Sequence, residues 1–126
     1  VTTAAELPDM TTPTWTSVPD VAEMLELPLR RVRTLITDRA LLAIPVGTEA
    51  IRSVPAQFLL PAGHPKGPAP LPALRGTIIV LADAGLTDRE IVDWLFAERS
   101  ELGASPLAAL HQGRTTTVRR LAQTVG

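Results

Sequence analysis

The sequence has 126 residues, 45% of them hydrophobic and 20% charged, the make-up of one folded domain or of a small domain with an appendage. Two Trp, two Phe and no Tyr leave the core to Leu, Val, Ile and Ala, and the absence of Cys excludes disulfides, thiolate metal sites and a cysteine nucleophile. The formal net charge of -1 hides a gradient: residues 1–27 carry five acids and no Lys or Arg, whereas residues 28–39 carry four Arg against one Asp. A basic island beside an acidic arm is a more specific signal than the overall balance.

Residues 1–14, "VTTAAELPDMTTPT", are rich in Thr and Pro, lack periodicity and read as a flexible arm. They also lack the basic flank and apolar run of a secretory signal, and the longest largely apolar stretch, "TIIVLADAGL", is far short of a membrane span. A cytoplasmic protein with no membrane insertion is expected. Ordered structure is expected from Trp15. "SVPDVAEMLEL" (17–27) reads as a short helix with Ser17 as cap, Pro19 in the first turn and a Val21, Met24, Leu25 stripe. Pro28 forbids simple continuation and restarts a helix to Arg39. Glu26 occupies the intervening turn, where Gly is common. Two short helices about a tight turn make the helix-turn-helix pattern.

The second helix, "PLRRVRTLITDR", divides its faces by chemistry. Leu29, Val32, Leu35 and Ile36 share one side; Arg30, Thr34 and Thr37 lie opposite, with Arg31 and Arg33 on the flanks. One side grips a core while the other offers guanidinium forks and hydroxyls to phosphates and base edges. "LLAIPV" and "AIRSV" then predict a two-stranded hairpin turning at Gly47, with Pro45 on an edge strand and Arg52 on the wing. Arg30, Arg33 and Thr34 are the candidates for groove contacts with double-stranded DNA. Arg31, Arg39, Arg52 and Lys66 are candidates to hold phosphates, and Thr37 shares the polar face.

"PAGHPKGPAPLP" (61–72), with five prolines and two glycines, reads as a linker or stiff extended loop. Helices are predicted over 71–86, ending at Gly85; over 87–98, opened by a Thr87/Glu90 capping box; over 105–113, with Pro106 at its start and Gly113 past its end; and over 115–125. The expected organisation is an arm (1–14), a winged helix-turn-helix (15–60), a linker (61–72) and a helical C-terminal domain (73–126). The fold class is mostly α with a small β-hairpin wing.

Catalysis has no candidate constellation. His64 and His111 lack partners at ligand spacing, Glu90 and Asp93 are explained by capping and solvation, and no phosphate loop or nucleophile elbow occurs. A non-enzymatic protein without metal or cofactor is expected, with Trp94 as a core residue. Thr2, Thr3, Thr11, Thr12 and Thr14 are candidate phospho-acceptors beside acids and prolines; a phosphate next to a basic surface would weaken DNA binding or fold the arm onto it.

The stretch "SVPDVAEMLELPLRRVRTLITDRALLAIPVGTEAIRSVPAQFL" resembles the winged helix of the MerR and excisionase type. Together with "AGLTDREIVDWLF", "ALHQGR" and "VRRLAQ", it is similar over about residues 15–124 to a small actinobacterial family of winged-helix DNA-binding proteins regulated by a membrane serine/threonine kinase. That resemblance implies a helical C-terminal domain, recognition-helix bases at Arg30, Arg31 and Arg33, and a phosphorylatable Thr in the arm among Thr11, Thr12 and Thr14, hence a kinase as partner. A second resemblance, of "SPLAALHQGRTTTVRRLA" to the C-terminal pattern of certain antitoxins, implies a protein-interaction module instead. Neither reading defines the oligomeric state.

Overall fold

The computed structural model describes residues 9–125, and the candidate acceptors Thr2 and Thr3 lie outside them. A short strand β1 (Trp15–Ser17) leads into helices α1 (Val18–Leu25) and α2 (Leu29–Thr37). Strands β2 (Ile44–Val46) and β3 (Ile51–Pro55) follow, then a 3-10 turn at Ala56–Phe58 and helices α3 (Leu74–Asp83), α4 (Asp88–Phe96), α5 (Pro106–His111) and α6 (Thr115–Ala122). The strand at Trp15–Ser17 joins the expected hairpin by pairing antiparallel with β3. The sheet therefore has three strands in the order β1-β3-β2, and Pro45 lies on an edge as expected.

Local chemistry sets the helix boundaries. The Ser17 hydroxyl accepts from the Asp20 N–H at 3.3 Å and starts α1. Glu26 ends it in the left-handed region (φ 58°), with its N–H on the Glu23 carbonyl and the Leu27 N–H on the Ala22 carbonyl, the two bonds of a Schellman ending. Arg39 (φ 68°) closes α2 in the same way through the carbonyls of Ile36 and Leu35. A side chain in this conformation costs about 1–2 kcal/mol. Glu26→Gly is therefore expected to raise stability by about 0.5–1 kcal/mol without moving α2, read as a higher denaturation midpoint with an unchanged spectrum. The Thr87/Glu90 capping box forms with both bonds in place.

The apolar side of α1 is Val18, Val21, Ala22 and Leu25. Met24, expected in that stripe, instead points away and is 46% exposed. The reason is angular: positions 18, 21, 22 and 25 already make one helical face, and residue 24 lies about 100° from 25. The core is continuous from Val18 to Ala122. Phe58, just after the wing, is fully buried and stacks on Phe96 of α4 at 6.1 Å between centroids. Trp94 is buried as expected, with the Arg99 guanidinium 5.0 Å over its ring.

Two segments differ from the sequence expectation. The proline-rich stretch is a closed loop rather than an extended spacer, because the Leu60 N–H bonds to the Ala69 carbonyl at 2.9 Å and the Leu71 N–H to the Phe58 carbonyl at 2.8 Å. The arm is held from Asp9 onward. The buried Gln57 side chain donates to the carbonyls of Asp9 (2.6 Å) and Thr12 (2.8 Å) and accepts from the Thr14 N–H (3.0 Å). Its own carbonyl meets His111 Nε2 at 2.7 Å. Gln57→Ala is expected to free residues 9–14, with faster hydrogen exchange at the Thr14 N–H and new proteolytic cuts, at a cost of about 1–3 kcal/mol.

Candidate nucleic-acid interface

Helix α2 rests on the core through the fully buried Val32, with Leu29, Leu35 and Ile36 partly buried around it. Arg30, Arg31, Arg33, Thr34 and Thr37 are exposed. Among the described residues, the carboxylates within 4 Å of an arginine are Asp88 beside Arg39 and Asp93 beside Arg89. The three arginines at the start of α2 thus carry unneutralised charge into solvent. The Thr34 hydroxyl donates to the Arg30 carbonyl at 3.1 Å, so its proton is spent within the helix and its oxygen remains an acceptor.

The wing brings a second element to the same place. A groove of about 440 Å³ lies between α2, the start of α1 and β3, lined on one side by Arg33, Ile36 and Thr37 and on the other by Ile51 and Arg52. Arg52 stands opposite Pro45 in the hairpin register, at the tip half of the wing. Ile51 is 49% exposed in this groove, an apolar contact that sequence reasoning did not single out. Its signal is weak, since a β-branched residue beside a turn reads as ordinary strand.

Arg39 and Lys66 are placed differently. Arg39 Nη1 lies 3.0 Å from Asp88 Oδ1, so it ties the end of α2 to the start of α4. Lys66 belongs to the closed proline-rich loop, where its N–H bonds to His64 Nδ1 and the neighbouring loop residues line a cleft with Met24, Leu25 and Glu26 at the far end of α1. The structure does not bring it to the groove. Arg75 escapes sequence reasoning altogether: its Nε donates to the Asp38 carbonyl at 2.8 Å, at the C-terminal end of α2.

The threonines of the arm sit beside the Gln57 side chain. Thr11 donates its hydroxyl (2.6 Å) and N–H (2.8 Å) to the exposed Asp9 carboxylate, and first the hydroxyl, then the N–H, holds that carboxyl below its ordinary range. The turn is therefore complete above the usual carboxylate pKa and is lost as pH falls through the lowered one. Thr12 and Thr14 present exposed side chains beside the Gln57 clamp. No group of three or more His, Asp or Glu among the described residues is placed to hold a metal ion, and no helix among them is long and apolar enough to cross a membrane.

Residues 3–59 match the family model described as "DNA-binding protein Rv2175c, wHTH domain", and residues 71–126 match that of the "Rv2175c C-terminal domain of unknown function". In chain order the two halves are thus similar to the two domains of the Rv2175c family. The NMR structure of Rv2175c superposes with a TM-score of 0.73 at 27% identity, over 89% of this chain and 80% of that one. No curated protein sequence matches. The DNA-binding domain of the Rv2175c family coincides with the half that carries α2, the wing and their arginines. The winged helix and the helical C-terminal region expected from the sequence are both present.

Proposed function

We propose that the chain is a transcriptional regulator that lays α2 in the major groove of double-stranded DNA. Arg30 and Arg33 reach base edges, Thr34 accepts from them, and Arg31 and Arg52 hold phosphates on either side. The observation that carries this reading is the shared groove: a guanidinium from the helix and one from the wing flank the same concavity, and among the described residues no carboxylate pairs with Arg30, Arg31 or Arg33. In a ¹⁵N-labelled sample titrated with a short duplex, the amide shifts are expected at residues 29–37 and 51–53. Shifts confined to residues 71–125 would contradict this docking.

Regulation through the arm belongs to the same reading. A serine/threonine kinase acting in the cytoplasm would find Thr11, Thr12 and Thr14 exposed. A phosphate adds about -1.5 to -2 charge. On Thr11 it replaces the hydroxyl proton given to Asp9 and sets like charges side by side, which opens the turn. Changing each Thr to Ala in a kinase assay identifies the acceptor, and labelling that survives all three changes rejects these sites.

A further inference from the structure

We propose that the C-terminal domain is a second DNA-contacting element, with Arg75, Arg119 and Arg120 gripping the phosphate backbone that flanks the groove occupied by α2. This extends the DNA-binding reading above and rests on it. The first argument is charge segregation. Residues 67–126 are balanced, six Arg against six acids, yet every acid lies between Asp83 and Glu101. Residues 102–126 hold Arg114, Arg119 and Arg120 and no acid, and residues 67–82 hold Arg75 and no acid. The fold packs α3 on α6 and sets the Arg119 guanidinium against Gly76, the chain neighbour of Arg75.

The second argument is the geometry at Gly76. The Arg119 guanidinium lies where a Cβ on Gly76 would sit, so a side chain there is incompatible with the present position of Arg119. Arg119 Nε is shielded from solvent and bonds to nothing among the described residues, and no carboxylate among them lies within 4 Å of Arg75, Arg119 or Arg120. One face of α6 presents Thr115, Thr116, Arg119, Arg120 and Gln123 around a shallow notch of about 290 Å³, with neither an acid nor an apolar side chain in its lining. Forked donors and hydroxyls without counter-charge suit phosphodiester oxygens.

The third argument is continuity. Arg75, adjacent to Gly76, bonds to the carbonyl of Asp38 at the end of α2. A nine-residue helix is about 13 Å long, close to the roughly 12 Å width of the major groove. With Arg30 and Arg31 at one end of α2, Arg75 stands at the other end, where the bounding phosphate strand would run. Backbone contacts from the C-terminal end of a recognition helix are a known docking device.

The test uses the full chain in anisotropy titrations against labelled duplexes across a salt series, with folding of each variant checked by circular dichroism. Arg119→Ala with Arg120→Ala is expected to flatten the log-log salt slope by about 0.9 for each phosphate left unneutralised, which at 0.1 M salt is about eightfold in affinity per phosphate. The preference among duplex sequences stays unchanged, because phosphate contacts carry no sequence information. Gly76→Ala displaces the Arg119 guanidinium at constant net charge and is expected to flatten the slope by up to the amount of one phosphate. It and Arg120→Ala alone keep the test decisive if the double variant does not fold. Arg89→Ala removes one charge from the acidic side and is expected to leave the slope as it is. A folded double variant with the wild-type slope, or an equal effect per charge from Arg89→Ala, overturns the proposal while leaving DNA binding by α2 intact. Wild-type protein that binds no duplex removes the underlying reading instead.

Discussion

Arg30→Ala combined with Arg33→Ala is expected to abolish detectable DNA binding while the protein stays folded. Both side chains are exposed on α2 and take part in no ion pair among the described residues, so their removal takes no support from the core. Each arginine that reads a base by a bidentate pair contributes about 1–3 kcal/mol of discrimination, and each that neutralises a phosphate adds about 0.9 to the salt slope. Losing two together removes several orders of magnitude from the affinity at moderate salt. Surface substitutions of this kind change stability by about 0.5 kcal/mol or less. An unchanged thermal midpoint with lost binding is therefore the expected pair of results, and an unchanged affinity in the folded variant refutes the assignment of α2.

The largest effect on stability is expected at Phe58. This ring is fully buried, directly follows the wing and stacks on Phe96 of α4. It therefore belongs to the winged helix by sequence and to the helical half by packing. Phe58→Ala leaves a cavity between them and should cost about 3–5 kcal/mol, a large part of the roughly 5–15 kcal/mol that holds a typical domain together. Since one core runs through both halves, wild type is expected to unfold in a single transition, with α2 and α4 losing protection together. Two separate transitions in wild type, or a loss below about 1 kcal/mol in the variant, would show that the halves are independent.

What was legible in the sequence was what neighbouring residues decide among themselves. Ser17, and Thr87 with Glu90, announce helix starts because a side-chain oxygen caps an N–H three residues on. Gly85 and Gly113 announce helix ends because they take left-handed backbone at no steric cost. The divided faces of α2 follow from helical periodicity alone. The illegible parts depend on residues distant in the chain. Trp15–Ser17 becomes a strand only because β3, nearly forty residues later, supplies its partners. Prolines between 61 and 72 suggest stiffness, but pairing of Leu59 with Pro70 closes the loop. Gln57 looks like a polar residue in a turn, and its hold on Asp9, Thr12 and Thr14 has no local signature.

The candidate interface divides along the same line. Arg30, Arg31, Arg33 and Arg52 could be named from their position on helix and wing. Arg75 and Arg119 could not, because the Asp38 carbonyl and the open face of Gly76 that position them lie far away in sequence. Lys66 attracts notice by its charge, although its loop packs at the other end of α1.

The most direct test of DNA binding through α2 is an anisotropy titration of the full chain and its Arg30→Ala/Arg33→Ala variant against genomic and random duplexes at two salt concentrations. Salt-sensitive binding by wild type that the folded variant lacks is the predicted result. Absence of binding to every duplex at low salt would contradict it and would turn attention to a protein partner for residues 71–126.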